Sequence, residues 1–350
     1  TYEESLWLQF FIAKRGDPRR KTNKRMVFHD GLQLPRISDL PGIFNAVMFA
    51  PEDLMMIKEG PATRRQFLDL LLSQVRPSYF RALQGFTKHL RQRNALLKQI
   101  RDQEFQSKRS PSLSKEDAQA IEKLMDRSAD GSSDDSSEGS SDSSSDTSIN
   151  ASTDDSSDDA NNDAQAASFD GSSLSLPNPQ YLQLETWTNM YATFAAQIIL
   201  DRRRYVERLE KAAQAFHYEM SNHTETLELR YKTVSGLKED ASLEEIKEHL
   251  LQRLKRYERD DIERGSTSTG PHRDDLEFRL NGRLLKVFGS QGQQRSAVLS
   301  LKMAELEIIK EDTGRTPVLL LDDVLSELDA WRRQALNKAM TDAQVFITCT

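Results

Sequence analysis

The sequence has only one cysteine, Cys349, in 350 residues. One cysteine cannot form an internal disulfide or a cysteine-rich zinc site, and the scarcity fits a reducing compartment such as the cytoplasm. No apolar run approaches the ~20 residues of a membrane span. The opening TYEESLWLQF lacks the basic and apolar regions of a secretion signal. Basic residues are missing from one long stretch. Between Ser128 and Asp201 there is no Lys or Arg, while 14 of the 55 acidic residues fall there. The rest of the chain then carries 48 basic against 41 acidic residues, so the net charge of −7 reflects the insert. A mildly basic remainder permits nucleic-acid binding without requiring it. A Gly-Lys pair is also absent, and with it the phosphate-gripping GxxxxGK[ST] loop.

What is present divides by texture. Residues 1–60 hold short strand patterns: SLWLQFFIA, then MVFHDGLQL folding about Asp30-Gly31, then NAVMFAPEDL ending at Pro51. From Ala62 the pattern is helical, with Phe67, Leu68, Leu71, Leu72 and Val75 on one stripe. Pro77 interrupts it. A second stripe follows through Phe80, Phe86, Leu90, Leu97 and Ile100, opposite a basic face of Arg81, Lys88, Arg91, Arg93, Lys98 and Arg101. Residues 128–176 are Ser/Asp-rich and too poor in apolar groups to offset the entropy of ordering, so disorder is expected. A long helix is expected through Leu184, Trp187, Tyr191, Phe194, Ile198 and Tyr205, antiparallel to the one before the insert.

ETLELRYKTV then reads as a strand, and Ser242 to Glu245 as a capping box opening a charged helix. DDLEFRL and RLLKVFG flank the hairpin pair Asn281-Gly282. A helix from Gln293 to about Lys310, the strand PVLLLDD, another helix and the strand QVFITCT complete an α/β ending. Domain limits follow: 1–60 and 265–350 as one α/β head, with 61–264 as a helical lobe holding the insert.

Two stretches carry chemistry. PVLLLDD delivers Asp322 and Asp323 to the C-terminal end of a core strand, where α/β sheets place ligand chemistry. One carboxylate suits a Mg²⁺ shell and the other an attacking water, which is a Walker B arrangement. SQGQQR, from Ser290 to Arg295, offers a hydroxyl, backbone amides and a helix dipole to an anion. A third stretch, GPHRDD, places His272 and Arg273 beside two acids. They either face nucleotide or a partner, or form an Arg–Asp brace at a strand start. His29, His89, His217, His223 and His249 show no metal spacing and are expected at the surface. Arg64, Arg65, Arg91 and Arg93 are candidates for DNA phosphate contact.

SQGQQRSAVLSLKMAE followed by PVLLLDDVLSELD resembles the signature motif, Walker B and D-loop of ABC-type ATPase heads. With VMFAPEDLMMIKEGPATRRQFLD, RQRNALLK and TGPHRDDLEF in the same order, the chain resembles the RecF family over nearly its whole length outside the insert. The resemblance implies an ABC-type head with a helical second lobe that dimerises on ATP and binds gapped or junction DNA. It also implies RecR and RecO as partners and help in loading RecA. Ser290, Gln291, Gly292, Gln293, Gln294 and Arg295 would then meet nucleotide held by the partner subunit. Asp322 would serve Mg²⁺, Asp323 would poise water, and Ser326 and Asp329 would lie at the dimer interface. Thr348 would sit near a switch position. Turnover is expected to be slow. Family members carry the Gly-Lys loop, so a fragment lacking it is the expected explanation here, with a DNA-binding scaffold devoid of ATPase activity as the alternative.

Overall fold

A 42-residue helix, Pro179–Met220, extends for about 63 Å at 1.5 Å per residue. The computed structural model describes residues 6–11, 24–36, 40–109, 179–323, 330–340 and 343–348. The Ser/Asp-rich stretch 128–176, Ser326 and Asp329 lie outside them. Residues up to Asp102 and from Pro179 onward form one compact unit. Of the second unit, which begins at Gln103, the last turns of one helix are described.

Strands are β1 (Leu6–Phe11), β2 (Lys24–His29), β3 (Leu32–Gln33), β4 (Ala46–Phe49), β5 (Leu227–Lys232), β6 (Asp275–Leu280), β7 (Arg283–Leu284), β8 (Val318–Asp322) and β9 (Val345–Thr348). Helices are α1 (Met55–Lys58), α2 (Pro61–Val75), α3 (Pro77–Arg109), α4 (Pro179–Met220), α5 (Leu243–Arg256), α6 (Glu258–Arg264), α7 (Leu285–Phe288), α8 (Gln291–Thr313) and α9 (Ala330–Ala339). Three sheets form: antiparallel β1-β2-β3, parallel β4-β8-β9, and antiparallel β5-β6-β7.

The hairpin dipeptides act as expected. Asp30 and Gly31, then Asn281 and Gly282, all have positive φ, which fits the twist of a two-residue hairpin. Beyond the second hairpin the chain departs from expectation. RLLKVFG contributes only Arg283 and Leu284 to a strand, and Leu285–Phe288 close into a helical turn with Leu285 buried. In β8 burial alternates: Leu319 and Leu321 are buried while Val318 and Leu320 are half-buried.

Helices α3 and α4 pack antiparallel. Gly85 faces Phe194, Phe86 meets Tyr191, and Arg93 bonds Thr188, so numbers fall along one helix as they rise along the other. A Cβ at Gly85 would lie 2.7 Å from the Phe194 ring, so this close approach requires glycine. Strand β5 falls within the stretch expected to be a helical lobe, yet it pairs with β6 from Leu227↔Leu280 to Lys232↔Asp275. The expected limit between 264 and 265 is therefore crossed by a sheet. Helix α8 is buried on all sides from Ser296 to Leu306, and one continuous core surrounds it.

Candidate functional site

The sequence-identified residues gather in three groups. The first is the N-terminal turn of α8. Ser290 is its N-cap: its Oγ accepts from Gln293 N (3.2 Å), and Gln293 Oε1 accepts from Ser290 N (2.8 Å). This reciprocal box satisfies two of the amides that a helix start leaves open. Ser290 and Gln291 are exposed, and Gly292, Gln293 and Arg295 are half-buried. Gln294 is buried and donates to the carbonyl oxygen of Gly289 (3.2 Å). The turn is thus a fixed, solvent-facing N-terminus with its positive dipole end outward, the geometry that receives an anion.

The second group lies at the C-terminal end of β8. Thr348 Oγ1 donates to Asp322 Oδ1, and Asp323 N donates to Thr348 O (3.2 Å). The end of β9 therefore holds both acids in place. Asp323 has φ +48°, the left-handed region, which Asp tolerates better than most residues. Strained backbone of this kind persists where surrounding structure enforces it, often at functional sites. One half-buried carboxylate with a neighbouring hydroxyl offers hard oxygen donors that fit Mg²⁺. Among the described residues no cluster of three or more His, Cys, Asp or Glu could hold a metal.

The third group is the GPHRDD stretch, whose two acids and His272 are held by bonds within the protein. Arg202 of α4 is buried. It donates to Pro271 O (2.8 Å), Tyr79 Oη (3.1 Å) and Asp69 Oδ1 (2.7 Å), with Asp274 Oδ2 at 3.6 Å. Tyr231 Oη donates to Asp274, whose pKa burial raises to about 6. His272 turns inward, with Nε2 3.0 Å from Thr267 O and Nδ1 3.3 Å from Tyr191 Oη, and burial lowers its pKa to about 4. The Arg–Asp brace is real, but its arginines are Arg202 and Arg64. Arg273 is exposed.

Two DNA-contact candidates are corrected by their surroundings. Arg64 is buried and bonded to both oxygens of Asp275 (2.7 and 3.1 Å) and to the carbonyls of Met56 and Glu59. Arg93 is fully buried and donates to Asp261 Oδ2 (2.9 Å), Thr267 Oγ1 (2.6 Å) and Thr188 Oγ1 (3.0 Å). Both are bonded to partners within the protein. Arg65 is half-buried and donates to Asp274 O (2.7 Å), whereas Arg91 is exposed together with Arg81, Lys88 and Lys98. His89 and His217, expected at the surface, are buried.

One further residue, unmarked by any motif, braces the first group. Arg332 of α9, downstream of Asp322-Asp323, donates to Ser296 Oγ from Nε (2.9 Å) and Nη2 (2.6 Å), and to Gly292 O (3.3 Å). It had no motif to mark it: Arg332 and Arg333 read as an ordinary charged helix face.

Among the described residues no helix is long and apolar enough to cross a membrane. No protein-family model matches the chain. Similar proteins nevertheless exist. The DNA replication and repair protein RecF of Acetivibrio thermocellus is 35% identical over 327 residues, covering 93% of this chain and 69% of that protein. RecF of Oceanobacillus iheyensis is 34% identical over 349 residues, covering 99% and 72%. A solved structure of the recombination mediator protein RecF-ATP in the RecFOR pathway superposes with a TM-score of 0.66 at 31% identity, covering 93% of this chain and 67% of that one. The chain belongs to the RecF family of DNA replication and repair proteins.

Proposed function

We propose that this protein is an ATP-gated DNA-binding protein of recombinational repair, in which two copies close on nucleotide and hold gapped or junction DNA. The observation that supports this is the capped, outward-facing N-terminal turn at Ser290, in a chain that also carries two acids at the C-terminal end of a core parallel strand, Asp322 held by Thr348. The Ser290–Arg295 turn presents amide dipole to the γ-phosphate held by the partner subunit. Asp322, oriented by Thr348, contributes to a Mg²⁺ shell. Asp323 orients water for slow hydrolysis, which releases the DNA. The exposed cations Arg81, Lys88, Arg91 and Lys98 on α3 contact phosphates. The protein acts in the cytoplasm, and RecR and RecO join it in placing RecA on gaps.

The test is ATP-dependent self-association and DNA retention of the full-length native protein, beside its Ser290→Arg variant. The wild type should dimerise and retain DNA with ATP. The variant should stay folded and monomeric, because the long cation fills the phosphate position and removes the cap. A wild type that remains monomeric, with one DNA affinity with or without ATP, overturns the proposal. It would favour a second reading, a DNA-binding scaffold without ATPase activity, for which the absence of any Gly-Lys pair in these 350 residues speaks.

A further inference from the structure

The capping box at Ser290 is complete without help, yet a third layer stands behind it. Gln293 uses Oε1 to cap Ser290 and Nε2 to donate to Glu225 Oε1 (2.7 Å). The other carboxylate oxygen of Glu225 lies 3.0 Å from His217 Nε2. His217, in the last turn of α4, has no solvent exposure, and its Nδ1 lies 3.4 Å from Ser300 Oγ. Ser300 and Ser296 bond back to the carbonyls of Ser296 (2.8 Å) and Gly292 (3.0 Å). A polar chain therefore runs from the end of α4 through His217, Glu225 and Gln293 to the hydroxyl at the exposed turn.

A buried imidazole beside a carboxylate is an expensive arrangement unless its geometry serves a purpose, because an apolar residue would fill the same space without desolvating polar atoms. His217 Nε2 lies 3.0 Å from Glu225 Oε2, within hydrogen-bond distance. That contact fixes the carboxylate plane. The fixed carboxylate in turn holds the Gln293 amide so that its oxygen, and not its nitrogen, faces Ser290 N. An unheld Gln293 would sample rotamers that leave Ser290 N without its acceptor and the box half-closed.

We propose that Glu225, oriented by His217, is a positioning residue that sets the N-terminal turn of α8 and so couples α4 to the nucleotide-facing turn. It rests on the proposed function for what that turn binds, but not for the coupling itself. Two readouts keep the two apart. The first is amide hydrogen exchange in full-length protein without nucleotide. Glu225→Ala should speed exchange at the Ser290 amide, which donates to the Gln293 side chain, about tenfold, the loss expected for one hydrogen bond to a charged group. Glu225→Gln, which keeps an acceptor for Gln293, should restore most of the protection. The second is the ATP concentration giving half-maximal dimer. It should rise by about the same factor in Glu225→Ala, with the dimer extent at saturating ATP unchanged. A purely structural role would lower melting temperature and leave the half-maximal ATP concentration alone. Unchanged exchange at the Ser290 amide in Glu225→Ala overturns the inference, whatever ATP does. Faster exchange with rescue by Gln, in a protein that ignores ATP, supports the coupling and overturns only the functional reading.

Discussion

Replacing Arg93 by Met should destabilise the protein strongly while leaving its DNA affinity unchanged. Arg93 and Asp261 have no exposed side-chain surface, and their atoms approach to 2.9 Å. Around them Thr267 donates from N and Oγ1 to Asn94 Oδ1 (2.8 and 2.7 Å), and Ser268 N donates to Asp261 Oδ1 (3.0 Å). The cluster thus ties α3, α4, α6 and the loop before GPHRDD. Methionine fills much of the volume but leaves Asp261 buried with one backbone donor. Removing one partner of such a pair costs about 3 to 5 kcal/mol, most of it from the stranded charge. At roughly 2 to 4 °C per kcal/mol for a domain of this size, Tm falls on the order of 10 °C.

Thermal unfolding of wild type and Arg93→Met measures this directly. DNA binding, measured across a salt series below both transitions, provides the control. A phosphate contact would show the opposite pattern: an unchanged Tm, and a salt slope smaller by about one. Adding Asp261→Leu should recover most of the loss, because the double variant buries no charge. Exposed Arg91 supplies the comparison, its Ala variant shifting stability by no more than about 0.5 kcal/mol. A Tm within a degree of wild type in Arg93→Met would refute the assignment of Arg93 to the core.

Other outcomes follow from the same surroundings. Gly270→Ala should cost roughly 2 to 5 kcal/mol in chemical denaturation, since φ is +132° and the new Cβ would lie 1.9 Å from Tyr191 Oη. A Tyr191→Phe background should relieve part of that cost. The pH dependence has a definite sign. The lowered pKa of His272, about 4 against 6.5, means the unfolded chain takes the proton first, so its contribution is present above pH 6.5 and lost as pH falls to 4. The raised pKa of Asp274, about 6 against 3.8, acts the other way, stabilising as pH falls through the same window. The two offset each other. His272→Gln should therefore gain stability relative to wild type on going from pH 7 to pH 4.5, by on the order of 3 kcal/mol at most, and a flat difference in denaturation midpoints would count against the buried His272. Asp322→Asn should abolish ATP turnover in the full-length protein yet leave Tm within a few degrees, which a turnover assay beside a melting curve checks.

The local rules read from the sequence succeeded wherever a position is decided by its neighbours in the chain. Asn281-Gly282 turns because both residues accept positive φ, and Ser242 and Glu245 close their box because the spacing is local. The stripe through Phe67, Leu68, Leu71 and Leu72 is buried because one helix face can be buried only one way. The misses have a common physical cause. Charge says where a residue prefers to be when alone, and Arg64, Arg93, Arg202 and His217 are not alone. Their partners Asp275, Asp261, Asp69 and Glu225 lie between 8 and 211 residues away in sequence, so nothing local marks them. A basic helix stripe therefore mixes two populations that look identical in sequence. Arg91 and Arg93 are two residues apart on α3, yet one faces water and the other anchors the core. The same holds at the candidate site. Ser290 and Asp322 were legible because strand-end acids and small residues at a helix start have a local logic. Arg332 and Glu225 were not, because each acts only through the turn that the fold brings to it.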